Sequence, residues 1–212
     1  MSVTITRLFD GWHDAELAVR DLAAAGVDRD EFSVTSRDPD RTDQHAAEGR
    51  DADEHGIDED GDVSRGATAG AAIGGIGGLL AGLGLMAIPG LGPVVAAGWL
   101  AAAATGAGLG AAGGAAAGGI VGALKAAGHS DDEVHVYSEG LRRGGTLVSV
   151  KAGEARAAEV RGILERNHGV DAETRGADYR ERGWSGYEAD SPAYDRIEVE
   201  TERDINRSSG II

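Results

Sequence analysis

Two ladders of glycine with a step of four stand on either side of a proline-bounded turn. Gly66, Gly70, Gly74, Gly78 and Gly82 precede it, and Gly106, Gly110, Gly114, Gly118 and Gly122 follow it. The turn itself reads Pro89-Gly90-Leu91-Gly92-Pro93, and from Gly66 to Leu124 no residue of 59 is charged. A step of four advances an α-helix by about 40° beyond a full turn, so ladder glycines trace a slowly winding groove that admits another backbone closely. The pattern predicts a helical hairpin over 66–128, with the ten ladder glycines as its packing surface and Pro89, Gly90, Gly92 and Pro93 as its turn. Either arm, as a helix, is long enough to cross a bilayer or to be buried in protein.

The arms differ in strength. Ile73, Ile76, Leu79, Leu80, Leu83, Leu85, Met86 and Ile88 make the first a credible apolar helix, whereas Ala101 to Gly119 is nearly all Ala and Gly apart from Thr105 and Leu109. The second arm is thus a marginal membrane segment. In water, glycine costs about 1 kcal/mol per helical position relative to alanine, which close packing must offset. Both a lipid-inserted and a protein-buried hairpin follow from the pattern.

All 20 basic and 36 acidic residues lie outside that run, and the net charge is −16. A polyanion would repel this surface, and no basic face with interleaved aromatics is visible, so nucleic acid is excluded as a partner. Electrostatic adhesion to anionic lipid headgroups is excluded on the same ground. There is no cysteine, which removes disulfides, zinc thiolates and thiol catalysis. The N-terminus lacks the basic start and apolar core of a secretory signal, which places the polar parts in the cytoplasm.

Outside the hairpin the periodicities are clear. Val3 to Phe9 reads as a strand. Asp14 to Ala25 reads as a helix burying Ala15, Ala18, Val19 and Leu22, and Phe32 and Val34 alternate with Ser33 and Thr35 in a second strand. Ser130 to Glu133 is a capping box opening a helix that buries Val134, Tyr137 and Leu141. Thr146 to Val150 is a strand, Glu154 to Asn167 a helix with Ala157, Val160, Ile163 and Leu164 inward, and Val170 to Thr174 a last short strand. Joined across the insertion, the order is β-α-β then β-α-β. The expected fold class is therefore α+β, a split ferredoxin-like sandwich with one sheet face covered by two helices, interrupted by the hairpin. The expected organisation is 1–36 first half-domain, 37–65 acidic disordered linker, 66–128 hairpin, 129–176 capped helix and second half-domain, and 177–212 largely disordered acidic tail.

Motifs of chemistry are weak. Gly108-Leu109-Gly110-Ala111-Ala112-Gly113 spells a dinucleotide fingerprint, yet no strand precedes it and glycine is everywhere around it. Asp58, Asp60 and Gly61 fall on calcium-loop places whose first and twelfth members are Gly56 and Ala67, so two oxygen ligands are missing. His13, His45, His55, His129, His135 and His168 fit no metal spacing and read as surface residues. No nucleophile elbow is present. The expectation is a non-enzyme without catalytic residues, metal, cofactor or small-molecule substrate.

Three stretches resemble a bacterial family. Arg7-Leu8-Phe9-Asp10, with Ala24 to Val34 after the first helix, resembles the opening of general stress protein 17M-like domains of the heat-induced stress protein group. Ile88 to Pro93 within the Gly/Ala-rich hairpin, and Ser138 to Val150, resemble the glycine-zipper members. The resemblance covers about residues 1–176 and implies a stress-associated protein with no established catalytic residues. Two functions are thereby expected. One is a general stress-response protein held in the cytoplasmic membrane by its hairpin, with lipid as partner and both termini cytoplasmic. The other is a soluble, self-assembling module whose hairpin is buried against protein, with homo-oligomers forming through the glycine faces.

Overall fold

The computed structural model describes residues 2–43, 84–88, 92–104 and 115–210. The fold is α+β, built on one antiparallel sheet. Strand β1 (Ser2–Phe9) leads through helix α1 (Trp12–Ala24) to β2 (Phe32–Ser36); β3 (Gly84–Ile88) and β4 (Gly92–Gly98) follow. Helices α2 (Trp99–Ala104), α3 (Ala115–Ala126) and α4 (Asp131–Arg142) come next, then β5 (Thr146–Gly153), α5 (Ala157–Arg166), α6 (Ala172–Glu181) and α7 (Arg196–Ser209). The strand order is β1-β5-β2-β4-β3. β5 lies antiparallel to both neighbours, from Ser2↔Gly153 to Phe9↔Thr146 on one side and from Phe32↔Val150 to Ser36↔Thr146 on the other.

One face of the sheet carries the apolar members of the alternation. Ile5, Phe9, Phe32, Val34, Val148 and Val150 pack against Ala15, Ala18, Val19 and Leu22 of α1 and against Ala157, Val160, Ile163 and Leu164 of α5. These are the inward residues that the 3.6 and 2 periods select. Full burial contributes about 1.5–3 kcal/mol for each large side chain.

The other face departs from expectation. It bears Thr6, Leu8, Ser33, Thr35, Leu147 and Ser149, and all six are buried. They lie beneath a second cluster in which Leu8 and Leu147 meet Leu100 of α2, Ile120, Ala123 and Leu124 of α3, and Val134, Tyr137 and Leu141 of α4. The sheet is therefore covered on both faces, and part of the uncharged segment supplies the second cover. An alternating strand with hydroxyls outward signals a solvated face only where nothing later in the chain returns to it.

The expected helical hairpin is corrected at its centre. Leu85, Met86 and Ile88 belong to β3, and Gly92 and Pro93 open β4, in a register from Gly84↔Ala96 to Ile88↔Gly92. β4 in turn pairs with β2 from Ser33↔Gly98 to Ser36↔Val95. Two causes act together. The β-branched pair Val94-Val95 favours a strand, and β2 supplies a row of backbone groups that need partners. Pro93 lies beyond the β2 register, at the start of its strand, where the missing N–H is tolerated.

Of the ladder, Gly66, Gly70, Gly74, Gly78, Gly82, Gly106, Gly110 and Gly114 lie outside the described residues, as do Pro89 and Gly90 of the turn. Gly118 and Gly122 fall within α3, whose break comes instead at Gly119 (φ 49°, ψ −130°). Among the described residues no helix is long and apolar enough to cross a membrane.

Three further expectations change. The strand from Val170 to Thr174 is reduced to one bridge, Leu8↔Val170, because the Asp171 side chain accepts the Thr174 N–H and starts α6 at Ala172. The tail forms α7, opened by a reciprocal Asp195–Glu198 capping box and closed by Gly210 at φ 69°. Val199, Glu202 and Asn206 of α7 are buried. The start of the acidic linker is also held, with the Arg37 N–H donating to the Gly145 carbonyl at 3.1 Å and Thr42 closing a turn on Asp38.

Candidate functional site

The hydroxyl-bearing face converges on an open cleft of about 400 Å³ between β1, the start of α4 and the start of α6. Thr6, His129, Glu133 and Tyr137 line it, and the polar row they form runs inward to buried Ser149. The Ser149 and Thr6 hydroxyls lie 2.8 Å apart, and Thr6 Oγ1 is 2.8 Å from His129 Nε2. His129 Nδ1 in turn faces Glu133 Oε1 at 3.6 Å. Glu133 is itself fixed by the capping box, accepting from the Ser130 N–H at 2.9 Å and the Ser130 hydroxyl at 2.8 Å. The Tyr137 hydroxyl donates to the Thr6 carbonyl at 2.8 Å, and its ring meets His129 edge-on with centroids 5.5 Å apart.

Local sequence explains how these groups meet. Gly128, at φ 96°, ends the turn after α3, so His129 enters just before the capped start of α4. His129 and Tyr137 then lie over the hydroxyl face of β1. Close approach of α4 to the sheet depends on Gly140, where a Cβ would fall 2.3 Å from Leu8 Cδ2.

Burial shapes the electrostatics. The His129 pKa is lowered, with desolvation the largest cause and the neighbouring Glu133 carboxylate opposing it. Burial also raises the Tyr137 hydroxyl, which stays protonated and serves as a donor. Glu133 is lowered; desolvation is the largest single influence and raises it, but the Ser130 hydrogen bonds and His129 together outweigh it.

A hydroxyl–imidazole–carboxylate row has the connectivity of a nucleophile with its base and orienting acid. Here the hydroxyls are enclosed: Thr6 is 2 % exposed and Ser149 0 %. A nucleophile must reach an electrophile, and these oxygens face protein. The row fastens the insertion to the sheet. Ser33 does the same at the other end, donating to the Ala97 carbonyl at 2.9 Å and accepting the Leu100 N–H at 3.1 Å. The Trp99 indole N–H donates to the Glu31 carbonyl at 3.2 Å, with Lys151 Nζ 4.1 Å from the ring centroid.

His129, expected at the surface, is instead a half-buried residue whose side chain is 7 % exposed and held by Thr6 and Glu133. Among the described residues no cluster of His, Asp or Glu is arranged to hold a metal ion. No protein-family model matches the chain, and no curated protein or solved structure matches it.

Proposed function

We propose that the protein is a non-enzymatic structural or interaction module, of the general stress protein 17M-like kind, whose apolar insertion is packed against its own sheet. The observation that carries this reading is the pairing of β4 onto β2, from Ser33↔Gly98 to Ser36↔Val95. Of the described residues of this segment, Val94, Leu100, Ile120 and Leu124 are buried in the second core, so that part of its apolar surface is answered by protein. The topology supports the finer reading of a split ferredoxin-like sandwich. β1 and β2 flank β5, which is antiparallel to both, while Val170 bridges the outer side of β1. The acidic balance of −16 favours a dispersed, soluble particle.

A second reading rests on the 59-residue uncharged run: a membrane-held stress protein whose apolar arms engage lipid. Fractionation separates the two. Full-length protein expressed with native termini is expected in the cytosolic fraction, or released from membranes by high salt. Retention through both salt and alkaline carbonate would overturn the protein-packed reading.

A further inference from the structure

On the far side of α6 from the cleft, three arginines surround the ring of Tyr179, with guanidinium carbons 4.1 Å (Arg143), 5.4 Å (Arg182) and 5.9 Å (Arg175) from its centroid. Two of them converge on one carboxylate delivered by α7. Arg182 grips Glu202 with both terminal nitrogens, Nη1 to Oε2 at 3.0 Å and Nη2 to Oε1 at 2.7 Å, and Arg143 Nη1 adds a third contact at 3.1 Å. A planar fork from Arg182 joined by one guanidinium contact from Arg143 on the same oxyanion is strong charge-assisted recognition, and carboxylate and phosphate both fit it.

Arg175 is a second, independent sign. It is fully buried, and only its Nη2 is answered, by the Asp10 carboxylate at 2.9 and 3.1 Å. Its Nε and Nη1 are buried without a hydrogen-bond partner. Leaving such donors unmet costs about 1–3 kcal/mol.

The group that fills the forks is held in place by charge. Of the buried residues of α7 only Val199 is apolar, while Ile197 is 73 % exposed. The remaining ties are polar: Arg203 to Asp38 at 2.7 Å, Asn206 to Asp10 at 2.8 Å, and Arg196 to Asp40 and Asp43. Removing Glu202 leaves four guanidiniums, Arg142, Arg143, Arg175 and Arg182, against three carboxylates, Asp10, Glu139 and Asp178, a local excess of positive charge on an acidic chain.

We propose that the Arg182 fork and the Arg143 guanidinium beside Tyr179 are an oxyanion site for a phosphate-class ligand, and that Glu202 is its resident occupant, displaced as α7 lifts. The test is hydrogen exchange read by mass spectrometry on the full-length chain, with sodium phosphate titrated against sodium chloride at matched ionic strength. Amides of α7 are expected to exchange about tenfold faster in phosphate, the scale of one charged hydrogen bond. β1 and β5 should stay protected as the folding control. Arg182→Lys keeps the charge but loses the fork, so the difference between the two salts should vanish. Glu202→Gln weakens the occupant, so less phosphate should reach half effect. Equal exchange in both salts would mean screening alone and would overturn the site, as would an unchanged difference in Arg182→Lys. If the sheet loses protection in that variant, Arg143→Lys takes its place under the same criterion.

Discussion

Gly98→Ala distinguishes a sheet-bound insertion from a helical arm by the sign of its effect. Gly98 closes β4 opposite Ser33 with φ +91°, and an added Cβ would stand 2.3 Å from the Phe32 carbonyl oxygen and 2.8 Å from Ser33 Cα. Both obstacles are backbone of the neighbouring strand and cannot swing aside. The left-handed conformation costs an alanine about 1–2 kcal/mol. Overpacking against a fixed neighbour adds about 1–3 kcal/mol. The sum of about 2–5 kcal/mol corresponds to a fall of about 4–20 °C in Tm for a chain of this size. Were residue 98 inside a helix, the same change would instead stabilise by about 1 kcal/mol. The assay is thermal melting of the full-length variant by far-ultraviolet circular dichroism, with Trp99 fluorescence, read in a Trp12→Phe, Trp184→Phe background, reporting the local contact. A Tm equal to or above that of the parent would refute the β2–β4 pairing and the reading built on it.

Other consequences follow from the two covers of the sheet. Leu124→Ala empties a fully buried position in the second core and is expected to destabilise by about 2–5 kcal/mol in urea unfolding. Little change would mean that α3 does not seat there. Ser33→Ala strands the buried Leu100 N–H, for about 1–3 kcal/mol, with faster exchange of that amide as the local readout. Acid should loosen the cleft first through His129. Its native pKa lies below the reference 6.5, so the unfolded chain takes the proton more readily, and stability present above pH 6.5 is lost as pH falls below it. His129→Gln should flatten that slope in a pH series of urea midpoints, and an unchanged slope would assign it elsewhere. The carboxylates act lower. Glu139, with a lowered pKa, contributes stability that is lost below its reference 4.5. Buried Asp10, with a raised pKa, has the opposite sign and offsets this as pH falls toward 3.8.

Elements with a clean period were legible before any coordinate. The inward residues of α1 and α5 are those the spacing selects, and the Ser130 box marks the start of α4. The β3–β4 pair was not legible, because a run of Ala, Gly, Leu and Val has the same hydropathy in either state and the four-step ladder imposes a helical reading. Only Val94-Val95 speaks for a strand locally; the deciding influence is the open side of β2, a tertiary term. The tail held a signal of the same kind as Ser130, since Asp195 and Glu198 form a reciprocal cap and Gly210 the stop. It was obscured by the high charge of its packing face, where Glu202 and Arg203 find partners distant in sequence. The cleft was hidden for a related reason. Thr6, Ser33 and Ser149 lie on the sheet face opposite α1 and α5, which becomes a buried site only when His129 and α2 return to cover it.

That return explains how the chain tolerates so long an interruption. The Ser36 and Thr146 hydroxyls, 110 residues apart, meet at 2.7 Å where β2 ends and β5 begins. Closing a loop grows costlier only slowly, by about 0.6 kcal/mol for each doubling of length. Against a tight hairpin loop, an interruption of this size is about five doublings and costs about 3 kcal/mol in entropy, which its own contacts must offset. Here it extends the sheet beside β2, buries Leu8 and Leu147 on a face that two helices could not reach, and meets Thr6 and Ser33 with His129, Ala97 and Leu100. Every buried hydroxyl so answered would be a desolvation cost if the cover were apolar throughout. The polar seam thus specifies how this cover sits, and the surrounding leucines and valines supply the driving force that holds it down.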